Sequence, residues 1–139
     1  PDIKKALGAN VETYKSCNMQ INLSFNLAGD WMLPFQEYVA ELLEDGVRAL
    51  VYAGDADFIC NWIGNKAWTK ALKWKGKDGF NKAKDTVWRP FFTGGAAGEA
   101  RRYENFTFLR VYKAGHMVPY DQPENSLDMI VRWVNEIPF

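Results

Sequence analysis

Among the 139 residues there is one histidine, two cysteines and three serines, and no Gly-x-Ser-x-Gly run anywhere. The last absence excludes a nucleophile elbow within this stretch of polypeptide. Cys17 and Cys60 have no second cysteine or histidine at a zinc-holding spacing, so no structural metal is expected. Three arrangements stay open for them: pairing with each other, free thiols, or pairing with cysteines elsewhere. Net charge is also missing, because 17 basic side chains offset 17 acidic ones. No long-range field would draw the chain to nucleic acid or to an anionic membrane. No apolar run approaches the roughly 20 residues that a membrane-spanning helix needs. The glycine-rich Gly94-Gly95-Ala96-Ala97-Gly98 lacks the Gly-Lys-Ser/Thr of a phosphate-binding loop, so it reads as a flexible connection and no cofactor is expected. The beginning, Pro1-Asp2-Ile3-Lys4-Lys5, is neither a signal peptide nor an initiator methionine, and the expectation is a chain cut from something longer.

With 47% hydrophobic and 24% charged residues, the composition is that of a folded globular protein, and disorder is excluded. The order of elements reads as α/β. Pro1 to Ala9 suits a short surface helix with Gly8 near its end. Phe35, Tyr38, Val39, Leu42 and Leu43 recur at helical spacing, and Asp45-Gly46 stops that helix. Val47 to Ala53 is almost wholly apolar and short, which predicts a central strand of a parallel sheet. Asn61 to Leu72 reads as a helix, and the lysine-rich stretch up to Asp85 as a solvated insertion. Thr86 to Thr93, interrupted by Pro90, predicts an edge strand. Arg101 to Tyr112 predicts a second core strand. Leu127, Ile130, Val131, Val134 and Ile137 give a closing amphipathic helix opened by Pro123. Two core strands cannot cover six tryptophans and nine phenylalanines. A large exposed apolar face is therefore expected in the absence of further sheet.

Two loops carry chemistry. Gly54-Asp55-Ala56-Asp57 follows the first core strand, and Gly115-His116-Met117-Val118-Pro119 follows the second. Open α/β sheets gather their sites at such strand ends. An imidazole can shuttle a proton when a carboxylate fixes its tautomer, so the pair reads as the last two members of a Ser-Asp-His triad in that chain order. Asp55 and Asp57 compete for the carboxylate role. Asp57 is preferred, because Asp55 sits directly after glycine and is placed to bond its own turn. Cys60, three residues on, is either active-site wall or a small buried hydrophobe. The lysines from Lys70 to Lys84 read as a solvated face. Asn22-Leu23-Ser24 and Asn105-Phe106-Thr107 are glycosylation sequons.

Longer segments support a resemblance. Leu50 to Trp62 (LVYAGDADFICNW), Ala114 to Pro119 (AGHMVP), Asn26 to Met32 (NLAGDWM) and Phe106 to Val111 (FTFLRV) make the chain resemble the C-terminal third of fungal serine carboxypeptidases, nearly end to end. The resemblance implies an α/β-hydrolase fold, with residues 1–139 a segment of one catalytic domain. It implies removal of C-terminal amino acids from peptides, in vacuoles, lysosomes or outside the cell. By position it makes Asp57 and His116 the triad aspartate and histidine, Met117 and Cys60 part of the substrate site, and Cys17 one end of a disulfide to the N-terminal part. The nucleophilic serine would then lie upstream of Pro1, on a segment or chain that is this one's necessary partner. Family relatives also include hydroxynitrile lyases and acyltransferases, and a non-catalytic binding subunit is a further alternative that the upstream sequence decides.

Overall fold

The computed structural model describes residues 2–139, so the expected place of Pro1 at the start of a helix lies outside the described residues. The chain divides into two compact units, residues 1–34 and 35–139. The first holds helix α1 (Asp2–Ala6), helix α2 (Met19–Leu27) and a single 3-10 turn at Asp30–Met32. In α1 the Lys4 ammonium donates to the carbonyls of Val11 and Glu12, which folds the following segment back on the helix. Asn18 caps α2, its Oδ1 accepting from the N–H groups of Gln20 and Ile21. This helix has no apolar period in the sequence, and none of its residues is buried.

The second unit contains helix α3 (Gln36–Glu44), strand β1 (Ala49–Gly54), helices α4 (Trp62–Ala71) and α5 (Lys77–Lys82), strands β2 (Thr86–Trp88), β3 (Gly98–Tyr103) and β4 (Phe106–Val111), and helices α6 (Val118–Asp121) and α7 (Pro123–Val134). The strands form one sheet in the order β1-β4-β3-β2. β1 and β4 run parallel, with Gly54 level with Val111, whereas β3 is antiparallel to β4 and β2 antiparallel to β3. β4 is covered on both faces. Phe106 and Phe108 join Leu43, Leu72, Trp74 and Phe80 on one side, and Leu109 and Val111 join Trp88, Val118 and Met129 on the other. Among the described residues nothing pairs with the outer edge of β1.

Several expectations need correction. β1 is an edge of this sheet rather than its centre, and the strand buried on both faces is β4. The region from Arg101 to Tyr112 is two strands, because Glu104 turns the chain at φ 49°. The glycine-rich stretch is only partly a connection. Ala97 donates to the Trp88 carbonyl, and Gly98 opens β3 where a side chain would strike the Arg110 carbonyl at 2.1 Å. The lysine-rich stretch is more than a solvated insertion, since Trp74 and Phe80 are buried and Phe80 stacks on Phe106 at 4.8 Å. Its lysines stay at the surface, where Lys75 pairs with Glu44 at 3.8 Å. Thr86–Trp88 is an edge strand as expected, ending before Pro90.

α7 turns its periodic apolar stripe outward. Leu127, Ile130 and Val134 are exposed, while Asp128, Met129 and Arg132 are buried. The cause is a polar anchor. The Asp128 carboxylate accepts from the Trp88 indole at 3.0 Å, the Phe91 N–H at 2.9 Å and Arg132 Nε at 2.6 Å. Arg132 in turn donates to the Arg89 carbonyl at 3.1 Å and lies 3.9 Å over the Phe91 ring. Every oxygen of the buried carboxylate is thereby satisfied, which a helix docked by its apolar face would not require. Asp128→Ala strands the Arg132 charge and is expected to cost about 3–5 kcal/mol of unfolding free energy in urea titration. A loss below about 1 kcal/mol would put the pair in the class of surface ion pairs.

Candidate active site

The parallel register brings the ends of β1 and β4 to the same side of the sheet, so the two loops that follow them are neighbours. They meet backbone to backbone. Asp55 N–H donates to the Val111 carbonyl, and Ala56 N–H donates to the Ala114 carbonyl, both at 2.9 Å. A Cβ on Gly54 would lie 2.2 Å from the Ala114 oxygen, so this approach admits only glycine. Beyond the contact, Gly115 N–H donates to Asp121 Oδ2 at 2.7 Å, and Gln122 Nε2 to the Lys113 carbonyl at 3.0 Å. These bonds tie the His116 loop to the short helix α6, which starts at Val118 with Pro119 in its first turn.

At the tips, His116 Nδ1 lies 2.9 Å from Asp57 Oδ2. Asp57 Oδ1 accepts from the Cys60 N–H at 3.0 Å, which fixes the carboxylate within its own turn. An ionised carboxylate only accepts, so Nδ1 carries a proton, and in the neutral imidazole Nε2 presents its lone pair. The Asp57 side chain is 8% exposed and that of His116 is 69% exposed. The ring therefore stands out from a carboxylate set into the loop. Asn65 holds the Cys60 end of the turn, donating to the carbonyls of Cys60 and Asn61 while Asn61 Oδ1 caps α4 through Gly64 N–H.

An open hollow of about 200 Å³ lies beside the pair, lined by Tyr52, Asp57, Cys60, Asn65, His116 and Val118 among others. Cys60 and Met117 are both exposed at its margin or next to His116. A larger hollow of about 360 Å³ between α3 and α4 shares no lining residue with it. Asp57, Cys60 and His116 each offer a donor atom within 4.8 Å of one another, a set that zinc would accept. The 2.9 Å bond engages one donor atom of His116 and one of Asp57.

Comparison with known proteins fits this geometry. The family model described as serine carboxypeptidase matches residues 1–136. The chain belongs to the serine carboxypeptidase family. It is 57% identical over 135 residues to carboxypeptidase Y of Candida albicans, covering 97% of this chain and 24% of that protein. It is 50% identical over 133 residues to carboxypeptidase Y of Saccharomyces cerevisiae, covering 96% and 25%. The crystal structure of a prohormone-processing carboxypeptidase from Saccharomyces cerevisiae superimposes with a TM-score of 0.62 at 32% identity, covering 70% of this chain and 22% of that one. The chain thus spans about a quarter of the length of the curated relatives it matches. The α/β arrangement is that of the family.

In this serine carboxypeptidase segment the other residues singled out in the sequence lie apart from the pair or beside it. Cys17 is exposed in the first unit, and Cys60 is exposed in the second. Asn22 lies on exposed α2, where its Oδ1 accepts from Asn26 Nδ2 at 3.1 Å. Asn105 Nδ2, the atom a glycan would take, instead donates to the carbonyls of Leu43 and Val47 at 3.0 and 2.9 Å. Asp55 bonds away from the histidine, with Oδ1 accepting the Lys113 N–H at 2.8 Å and Oδ2 lying 3.3 Å from Arg110 Nη2. The sequence reading passed over Arg110, Asn65 and Asp121. For Arg110 a signal existed, namely a lone charge within the apolar run Phe106 to Tyr112.

The His116 hydrogen bond, against the desolvation that opposes it and with help from the Cys60 and Ile59 N–H groups, holds the Asp57 carboxyl below its ordinary range. A depressed carboxylate contributes stability that is fully present above the ordinary pKa of about 4 and is lost as pH falls through the lower folded value. A carbon-13 titration of Asp57 Cγ should give a midpoint below about 4 that moves upward in His116→Ala. An unmoved midpoint would remove His116 as the cause.

Proposed function

We propose that this chain is the part of a serine carboxypeptidase catalytic domain that supplies the aspartate and histidine of a Ser-Asp-His triad, the serine lying on polypeptide outside this sequence. The 2.9 Å bond between His116 Nδ1 and Asp57 Oδ2 carries the reading. With Nδ1–H donated to Asp57, Nε2 takes the proton of the serine hydroxyl as its oxygen bonds the scissile carbonyl carbon. His116 then gives that proton to the departing amine, the C–N bond breaks, and the C-terminal amino acid leaves. A water molecule, deprotonated by the same Nε2, hydrolyses the acyl-enzyme and returns the serine. Throughout, Asp57 stays ionised and stabilises the imidazolium.

Exposed Met117 and Cys60 flank the pair and serve as walls for the leaving residue. Exposed Cys17 is the end of a disulfide to the segment bearing the serine, and the sequon at Asn22 fits passage through the secretory pathway towards a vacuole, lysosome or the exterior. Asn105 is the weaker sequon, because a glycan there would disturb the bonds of its amide to Leu43 and Val47.

In the full-length enzyme, Asp57→Asn is expected to lower kcat on an N-blocked dipeptide by roughly 10⁴, since the amide favours the wrong His116 tautomer. Activity near that of the unaltered enzyme would remove Asp57 from the triad. Intact mass of the native protein with and without reductant tests the Cys17 assignment. A polypeptide joined through Cys17 retains that bond in tryptic peptides until reduction, whereas a free Cys17 alkylates without reductant and contradicts the disulfide.

A further inference from the structure

Asp55 is left without a part in this chemistry, yet like Asp57 it is held at both oxygens, here by groups that follow or belong to β4. Its side chain is 19% exposed, and both oxygens are engaged. Oδ1 accepts from the N–H of Lys113, a non-glycine residue held at φ 54° in the left-handed region. That residue makes the turn leading from β4 into Ala114-Gly115-His116. Two residues beyond Asp55 stands Asp57. The same carboxylate thus closes the turn that launches the histidine and belongs to the turn that holds its partner.

Arg110 keeps this arrangement in place. Its guanidinium lies 4.0 Å over the Trp62 ring and 5.0 Å from that of Tyr112, with Asp55 at 3.3 Å and Glu99 at 3.6 Å. Trp62 opens α4, directly after the Asp57–Cys60 turn. One planar cation on β4 therefore reaches β3, α4 and the Asp55 loop, stacking on two rings while hydrogen-bonding one carboxylate and pairing with a second, a combination that lysine cannot reproduce.

We propose that Asp55, braced by Arg110, is a positioning residue of the catalytic pair: it holds the left-handed Lys113 turn that delivers His116 to Asp57. The inference rests on the proposed triad. It distinguishes the two aspartates of Gly54-Asp55-Ala56-Asp57 by role, one orienting the imidazole and the other orienting the loop that carries it.

The test uses the full-length enzyme and steady-state kinetics on an N-blocked dipeptide. Asp55→Ala should lower kcat by about 10- to 100-fold, the loss that a displacement near 1 Å produces, with KM changed less than about twofold. Asp55→Asn, which keeps an acceptor for the Lys113 N–H, should lose several-fold less. Adding Lys113→Gly to Asp55→Ala should recover much of the lost kcat, because glycine adopts the left-handed conformation without the carboxylate. That recovery is not expected if Asp55 only stabilises the fold. Unchanged kcat in Asp55→Ala, a loss expressed mainly as raised KM, or no recovery on adding Lys113→Gly overturns the proposal. Asp57→Asn runs alongside. If it is nearly inactive while Asp55→Ala is normal, the positioning role fails and the triad stands; if it is itself near-normal, the triad reading fails. Should Asp55→Ala not fold, Arg110→Lys decides. A kcat loss of about fivefold or more at unchanged KM and melting temperature supports the role, and an unchanged kcat overturns it.

Discussion

The parallel pairing of β1 with β4, carried to its last residue by the contact of Gly54 with Ala114, is the constraint on which the site depends. Parallel strands point their C-terminal ends the same way, so any two loops that follow them emerge together. In this chain the emergence is close enough for backbone hydrogen bonds between the loops, which requires a residue with no side chain at the end of β1. The Asp57–His116 distance is a consequence of that contact. Two side chains placed on separate loops acquire a fixed separation because their main chains are already bonded a few residues earlier.

The rest of the second unit makes β4 rigid enough to serve as that reference. Aromatic packing of Phe106 with Phe80 and Trp74 covers one face, and Trp88, Leu109 and Met129 fill the other. α7 closes the second face through Asp128 and Arg132, whose bonds reach the β2 end at Trp88, Arg89 and Phe91. A buried ion pair of this kind contributes little net stability over an apolar contact, but it specifies which side of a helix faces inward. That specification matters in a helix whose other side is the more apolar.

What could be read in the sequence followed from local signals. Asn61 before an apolar helix, Gly46 after one, Pro123 opening the last, and two strands ending in loops with Asp57 and His116 all depend on residues close in the chain. Errors arose where distant partners decide. Nothing near α7 tells that Asp128 will meet a tryptophan 40 residues away, so its apolar stripe was the natural choice for an inward face. Trp74 and Phe80 lie among lysines, and their burial depends on the face of β4 that receives them. Gly98 sits in a run that looks like a linker, but the position is filled by the Arg110 carbonyl. The pair itself was legible because this chain has one histidine and because strand ends concentrate function. The bracing by Asp55 and Arg110 was not, since it depends on a left-handed turn at Lys113 that no residue preference marks.

The expected apolar surface is present, and part of it, at Phe58, Ile59 and Met117, adjoins the pair itself. β1 has one edge unpaired among the described residues, and the outward stripe of α7 leaves Leu127, Ile130 and Val134 in water. Such surface is far more than isolated exposed side chains, and it is the kind that further strands and helices cover in α/β sheets. The pair nevertheless forms, because it needs only two strands and the bonds between their loops. Its geometry and its strength are therefore separable. With His116 at 69% exposure, water competes for the imidazole and screens the Asp57 charge. A covering segment that lowered the local dielectric would strengthen the same 2.9 Å bond without moving an atom of it. Position is encoded within this stretch of chain, and the electrostatic force of the pair is set by whatever excludes water from its open side.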